Sequence, residues 1–388
     1  MSRPDKDVKE MPEHAEVLTP QEMLQQFDKV NVCAPMANYC NGVGLQVRYS
    51  KLPFRQLVAQ YETHITYTPM LLAQEFSRSA VARDSDFSTN TLERGTFWMT
   101  PKVNHTLVQE WDSSPERRSE EALARKARRG QRRVRGNLVA QFAANDAAQL
   151  ADAAELIKPW VDGIDLNCGC PQKWAYQEGI GCALLRRPDT VRDLVRMTKQ
   201  RLGWDFPVTV KIRVDPNLQL TNELVTTAIA AGADVLTIHG RTRHQSSSGH
   251  PVNLDSIQFA VECSKGRIPC VANGDVFDLE GAEETRRRCG VNAVMSARGL
   301  LANPALFSGY DKTPSTAISE FIRISTQVGL IYPLFHRHVA YMIESHFTRR
   351  MDRVFFNGLT SYASVCDYLE DELGVKLGVA EGNIGVKK

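Results

Sequence analysis

Gly163-Ile-Asp-Leu-Asn-Cys-Gly-Cys-Pro-Gln-Lys-Trp-Ala-Tyr-Gln-Glu-Gly-Ile-Gly-Cys-Ala-Leu-Leu185 decides how the rest of the chain is read. It begins as a short buried strand, Gly163 to Cys168, and breaks at Gly169. A cysteine between glycine and proline follows. Proline fixes its own φ and pushes the preceding residue out of the helical region. Cys170 is therefore held extended just beyond a strand end, where a reactive group can face a pocket. On chemistry alone two readings stay open, a reactive thiol and a small apolar filler.

Outward from this stretch, similar short β-branched runs recur at Asn31–Met36, Ile65–Met70, Leu138–Phe142, Val208–Arg213, Val235–Gly240, Ile268–Gly274 and Ala293–Gly299. Helical patterns separate most of them, for example Asp146–Lys158, Thr190–Leu202, Glu223–Ala231 and Leu254–Cys263. Pro188-Asp189 offers the second of these an N-cap and Gly203 a stop. Eight strands alternating with helices predict an α/β fold, a (β/α)8 TIM barrel. A doubly wound sheet is the alternative, but no GxGxxG follows the first strand; Gly42-Val-Gly44 lacks its third glycine.

Alternation along a strand sorts the side chains by face. Asp165 and Asn167 share a face, as do Thr209, Lys211 and Arg213, and Thr237 and His239. Polar residues near C-terminal strand ends point into the barrel mouth, where this fold places its active sites. A lone buried lysine is costly, so Lys211 is expected to meet an anionic or electron-rich ligand, or else to pair with a buried aspartate. The last two strands end in Ala272-Asn273-Gly274-Asp275 and Ser296-Ala297-Arg298-Gly299. Loops at these places often bind phosphate, a glycine admitting backbone N–H groups and an arginine adding a charge-assisted bond. With Gln141, Lys211 and His239 they describe a phosphorylated planar ligand lying across the mouth, which flavin mononucleotide (FMN) satisfies. Each turn alone is weak; their recurrence at successive strand ends carries the reading.

These motifs resemble the tRNA-dihydrouridine synthase family. The resemblance rests on Asp165-Leu-Asn-Cys-Gly-Cys-Pro-Gln-Lys173, Ala34-Pro-Met36, Tyr67-Thr-Pro-Met70, Gln141-Phe142, Val210-Lys-Ile-Arg213, His239-Gly-Arg-Thr242, Asn273-Gly-Asp275 and Ala297-Arg-Gly299. Val47–Arg55 and Gln141–Asp146 look most like the eukaryotic branch that modifies uridines 20a and 20b of the tRNA D-loop. The resemblance implies that Pro35, Met36, Gln141, Lys211, His239, Asn273, Gly274, Asp275, Ala297 and Arg298 hold FMN. It implies Cys170 as proton donor, with Asn167 beside flavin and uracil, and Lys173 or Arg241 near the uracil carbonyls. NADPH or NADH is the implied reductant. A uridine cannot react while stacked, so it must be splayed into the mouth.

Two segments depart from the family pattern. Residues 37–46, Ala-Asn-Tyr-Cys-Asn-Gly-Val-Gly-Leu-Gln, interrupt the run from Pro-Met into Val-Arg-Tyr-Ser. They read either as a genuine loop or as sequence normally removed from the message, and put flavin contacts near Ala37 in question. A second insertion, 111–136, contains Glu116–Arg135, a polar run of helical pattern with nine Lys/Arg; solvated surface and tRNA backbone contact are its two readings. Residues 1–28 read as a tail or short docking helix, 29–308 as the catalytic barrel and 316–388 as a helical tRNA-recognition domain. In the last, apolar residues recur at Val339, Met342, Ile343 and Phe347, and at Leu359, Tyr362, Val365 and Leu369, while Arg337, Arg349, Arg350 and Arg353 interleave with His336, His338 and Phe355.

Composition excludes other classes. Nine cysteines without CxxC pairs give neither a zinc ribbon nor a disulfide scaffold, and no metal site is expected. No apolar run approaches about 18 residues and no signal segment opens the chain. A monomeric intracellular enzyme, cytoplasmic or nuclear and without membrane attachment, is expected. Two alternatives remain: an FMN barrel reducing a small molecule, and a catalytically silent tRNA-binding relative.

Overall fold

The computed structural model describes residues 14–39, 46–102 and 130–377. Within them, eight parallel strands close into a barrel: β1 (Val30–Cys33), β2 (Ile65–Tyr67), β3 (Asn137–Ala143), β4 (Gly163–Cys168), β5 (Val208–Arg213), β6 (Val235–His239), β7 (Cys270–Asn273) and β8 (Ala293–Ser296). Each pairs with the next, and β8 pairs with β1 to close the ring. This is the (β/α)8 barrel read from the alternation. Between the strands run α1 (Ala147–Ile157), α2 (Pro188–Leu202), α3 (Leu218–Ala231), α4 (Leu254–Ser264) and α5 (Leu279–Cys289). Helix α2 begins earlier than its cap signal suggested. Pro188 is its first residue and Arg187 its N-cap, because a proline suits the first turn.

Strand parity holds in the packing. Ile164, Leu166 and Cys168 of β4, Val208, Val210 and Ile212 of β5, and Leu236 and Ile238 of β6 are buried together against Leu150, Leu194, Leu224 and Ile257 of the helices. The opposite faces turn polar groups inward in rungs. Gln141, Asp165 and Thr209 are in register, Asn167, Lys211 and Thr237 form the next rung, and Arg213, His239 and Asn273 the one nearest the mouth.

The basic run before β3 is not helical at its end. Residues 103–129 lie outside the described ones, but Arg132–Arg135 is a strand antiparallel to Thr96–Met99. Its charges have specific partners: Arg132 meets Glu16, and Arg135 shares Asp162 with Arg94. Val134 between them is buried. Of the two readings of the N-terminus, a docking helix forms at Pro20–Gln26. A Thr19–Glu22 capping box starts it, and Met23 and Leu24 are buried.

After the barrel come α6 (Ser315–Gln327), α7 (Tyr332–Met342), α8 (Arg350–Asn357) and α9 (Tyr362–Leu373). Val339, Met342, Ile343, Val365 and Leu369 are buried in one cluster with Val32 of β1 and Val294 of β8. His338 is not part of a basic surface. It stacks on Phe54 at 4.8 Å and lies 3.0 Å from the Tyr49 carbonyl. Arg349 pairs with Asp352 and Arg353 with Glu344. No helix of the described residues is long and apolar enough to cross a membrane.

Candidate active site

The C-terminal strand ends surround one cleft with two lobes. The first, about 270 Å³, is lined by Pro35, Met36, Tyr49, His239, Arg241, Asn273–Phe277, Ala297 and Arg298. The second, about 260 Å³, is lined by Met70, Gln141, Asn167, Gly169, Cys170, Lys211 and Arg213. Pro35, His239, Ser247, Asn273 and Ala297 belong to both walls.

The first lobe is positive. Asp275 accepts hydrogen bonds from Arg241 and Arg298, each at 2.5 Å, and from the Val252 N–H at 2.9 Å. Two guanidiniums against one carboxylate leave a net positive charge at the loops after β7 and β8. Gly274 makes the close approach possible. Its φ is +130°, and a Cβ there would lie 2.6 Å from Val252 and 3.1 Å from the His239 ring. Burial, then Lys211 and the three arginines around it, hold the His239 imidazole well below its ordinary range, so it is neutral at pH 7.

The second lobe gathers Lys211, Arg213 and Cys170. Lys211 is buried and its Nζ donates to Asn273 Oδ1 at 2.9 Å. Asn273 in turn donates to the Met295 carbonyl, 2.9 Å. Burial pushes the Lys211 ammonium down and the Asp165 carboxyl up. The two form no ion pair among the described residues: Asp165 accepts instead from Gln141 at 2.8 Å and Thr209 at 2.5 Å. Of the two sequence-level readings of this lysine, the buried Lys–Asp pair is therefore not what the barrel builds. A cation satisfied by one amide faces the cleft. Arg213 is also buried; its NH1 ties down the Thr242 and Gln245 carbonyls at 2.9 Å each, and its Nε has no hydrogen-bond partner.

Cys170 sits where β4 breaks. Asn167 Oδ1 accepts from the N–H groups of Gly169, 3.0 Å, and Cys170, 2.9 Å, while its Nδ2 donates to Gln141. From the other side the Cys182 N–H donates to the Cys170 carbonyl at 2.9 Å. Gly181 allows this contact. Its φ is +62°, and a Cβ there would come within 2.8 Å of the Cys170 Cβ. Burial raises the Cys170 thiol above its ordinary range, against the lowering pull of the Gln172 backbone, Arg213 and Lys211. The group is a thiol at neutral pH, suited to giving a proton. Cys168 is fully buried on the helix-facing side of β4.

The expected site residues thus converge, with two exceptions. Lys173 is exposed on the short helix Lys173–Gln177 and lines neither lobe. Arg241 lies in the first lobe, held by Asp275 and the His250 carbonyl, not beside Cys170. Both lie beyond strand ends, Lys173 opening a short helix and Arg241 in a loop, where strand alternation no longer fixes a side chain's direction. Arg213 is the arginine that lines the lobe with Cys170; its alternation with Lys211 on one strand face was the available signal. Asn167 also takes a more specific part, holding the Cys170 backbone. Tyr49 lies within the Val47–Arg55 stretch, where nothing singled it out, and Ser247 carried no sequence signal. The cleft, with a cationic glycine-built end and a buried lysine and amide wall, fits a phosphorylated planar ligand such as FMN. No group of His, Cys, Asp and Glu able to hold a metal occurs among the described residues.

Known proteins are similar to this chain over most of its length. A human protein named tRNA-dihydrouridine(20a/20b) synthase [NAD(P)+]-like is 39% identical over 360 residues, 92% of this chain and 95% of that one. The Schizosaccharomyces pombe tRNA-dihydrouridine(20a/20b) synthase [NAD(P)+] is 40% identical over 347 residues, 89% of each chain. A rat protein named tRNA-dihydrouridine(16/17) synthase [NAD(P)(+)]-like is 32% identical over 286 residues, 74% of this chain and 55% of that one. The family model described as Dihydrouridine synthase (Dus) matches residues 46–367, starting where the 37–46 segment ends. With barrel, cleft and cysteine in place, the chain belongs to the dihydrouridine synthase family.

Proposed function

We propose that this chain is an FMN-dependent, NAD(P)H-driven tRNA-dihydrouridine synthase that saturates the C5=C6 bond of uridines 20a and 20b in the D-loop. The observation that carries the reading is Cys170: a partly buried thiol in the same lobe as Lys211 and Arg213, adjoining a cationic lobe. The choice of positions rests on the relatives named for 20a/20b, which match more of the chain at higher identity than the relative named for 16/17.

In this reading Arg241, Arg298 and the Gly274–Asp275 and Ala297 backbone hold the phosphate of FMN. Pro35, Met36, Gln141, Lys211, His239 and Asn273 hold its ring. Bound FMN, reduced by NADPH or NADH, supplies the hydride that uracil C6 requires. Cys170 supplies the other half of the addition, its S–H bond breaking as the proton passes to C5. The thiolate left behind faces Arg213 and Lys211, whose charges favour it until a solvent proton restores the thiol. Arg213 also steadies negative charge developing on the uracil carbonyls. Asn167 keeps Cys170 aimed. The enzyme acts inside the cell, as a monomer, with residues 316–388 helping to seat the tRNA.

The purified protein is expected to be yellow and to release FMN on denaturation. Lys211→Ala should lose the flavin, measured as absorbance per chain. A colourless wild type would overturn the cofactor assignment, and full FMN in Lys211→Ala would remove Lys211 from the site.

A further inference from the structure

On the proposed reading that tRNA is the substrate, we infer that Tyr176, backed by Arg243, is a stacking platform for the nucleobase adjoining the target uridine. Tyr176 lies on the short helix that follows Cys170-Pro171-Gln172 directly. That helix faces inward through Ala175, buried with Ile180 against Met70 and Cys170. Tyr176 is 40% exposed and stands one helical turn beyond Gln172, which lines the lobe that holds Cys170.

The ring is also held. Arg243 Cζ lies 3.2 Å from its centroid. Arg243 belongs to the loop after β6, which Arg213 pins through the Thr242 and Gln245 carbonyls. The cation–π contact therefore links the loop after β4, which carries Cys170, to the loop after β6, whose Ser247 lines the same lobe as Cys170. Around it stand further cations. Arg186 lies nearby, paired with Asp215, and Lys173 is exposed on the same helix. A guanidinium covers one face of an aromatic ring. An exposed ring stiffened in this way, amid positive charge, has the chemistry of a single-stranded nucleic-acid platform: base on ring, phosphates on cations.

There is an energetic reason for such a platform at this place. Splaying a uridine out of its loop unstacks its neighbour as well as itself. A ring beside the cleft restores the neighbour's stacking and offsets that cost only once the target has entered. Tyr176 is thus a positioning residue, not a catalytic one, and its effect belongs in the affinity for tRNA.

The test uses the full flavin-loaded chain and a tRNA transcript lacking dihydrouridine. Tyr176→Ala should raise KM for tRNA about ten-fold, as loss of one stacked base does, with kcat changed less than about two-fold and flavin content unchanged. Tyr176→Phe should restore KM, since the ring and not the hydroxyl is used. A transcript made abasic on one side of the target should raise the wild-type KM by a similar factor and leave that of Tyr176→Ala unmoved. Unchanged KM in Tyr176→Ala, failure of Phe to rescue, or an abasic penalty that adds fully to Tyr176→Ala would each overturn the platform. If wild type makes no dihydrouridine in any tRNA, the functional reading beneath it has failed instead.

Discussion

Cys170 owes its position to the backbone on both sides of it. Asn167 receives two successive N–H groups, Gly181 allows a close approach, and Pro171 holds the residue extended. A thiol set this firmly against the cleft should matter far more than its neighbour two residues back. Cys170→Ala is expected to keep its flavin but to form dihydrouridine about two orders of magnitude more slowly. Cys168→Ala, on the helix-facing side of β4, should stay within a few-fold of wild type. A dead Cys168→Ala beside an active Cys170→Ala, read as dihydrouridine per tRNA, would reverse the assignment. Most of this site was legible in the sequence, because a strand puts every second side chain on one face. Asn167, Lys211 and His239 could be placed by parity alone. Lys173 and Arg241 could not. They lie beyond strand ends, and only the fold shows that one is exposed and the other bound to Asp275.

At the scale of elements, the 37–46 segment and helix α7 make separate demands. Residues Ala37–Tyr39 pair antiparallel with Gln46–Arg48, so the insertion leaves and re-enters the fold as a hairpin. At its base the Tyr49 N–H donates to the Met36 carbonyl at 2.9 Å, and the Met36 N–H to Ser50 Oγ at 3.0 Å. Removing Ala37–Gln46 would leave Met36-Val47-Arg48-Tyr49, whose first carbonyl and last N–H are already joined as in a β-turn. The shortened chain should therefore fold. With nothing inserted between Met36 and the backbone that follows, it is expected to hold more FMN and turn over faster; lower flavin content and rate would make the hairpin a working part of the mouth. Helix α7 docks through His338, whose imidazole burial pushes down to about 3 from an ordinary 6.5. The unfolded chain then binds the extra proton between those values, so this group's stabilisation is present above pH 6.5 and lost as pH falls below it. The loss is about 1.4 kcal/mol per pH unit. His338→Gln should flatten the fall in urea midpoint between pH 6.5 and 5, and an unchanged slope would contradict the burial. Regular elements were legible from their periodicity. The Arg132–Arg135 strand was not, since its charges mask a pattern set by Glu16 and Asp162, distant in sequence.

For the whole molecule, the barrel supplies a cleft whose cationic lobe and cysteine-bearing lobe share a wall, and the helices after it pack onto β1 and β8 through one continuous core. The sequence's near-neutral charge, +2, hid this arrangement, since the positive groups that count are concentrated at the mouth and matched by acidic residues elsewhere. The central claim is that this cleft reduces uridine within tRNA. Incubating the purified, flavin-loaded protein with NADPH and tRNA lacking dihydrouridine, then mapping each D-loop position by mass spectrometry, tests it most directly. Dihydrouridine at 20a and 20b with wild type, and not with Cys170→Ala, is the expected result. Flavin-loaded protein that consumes NADPH yet leaves every D-loop uridine unchanged would contradict it.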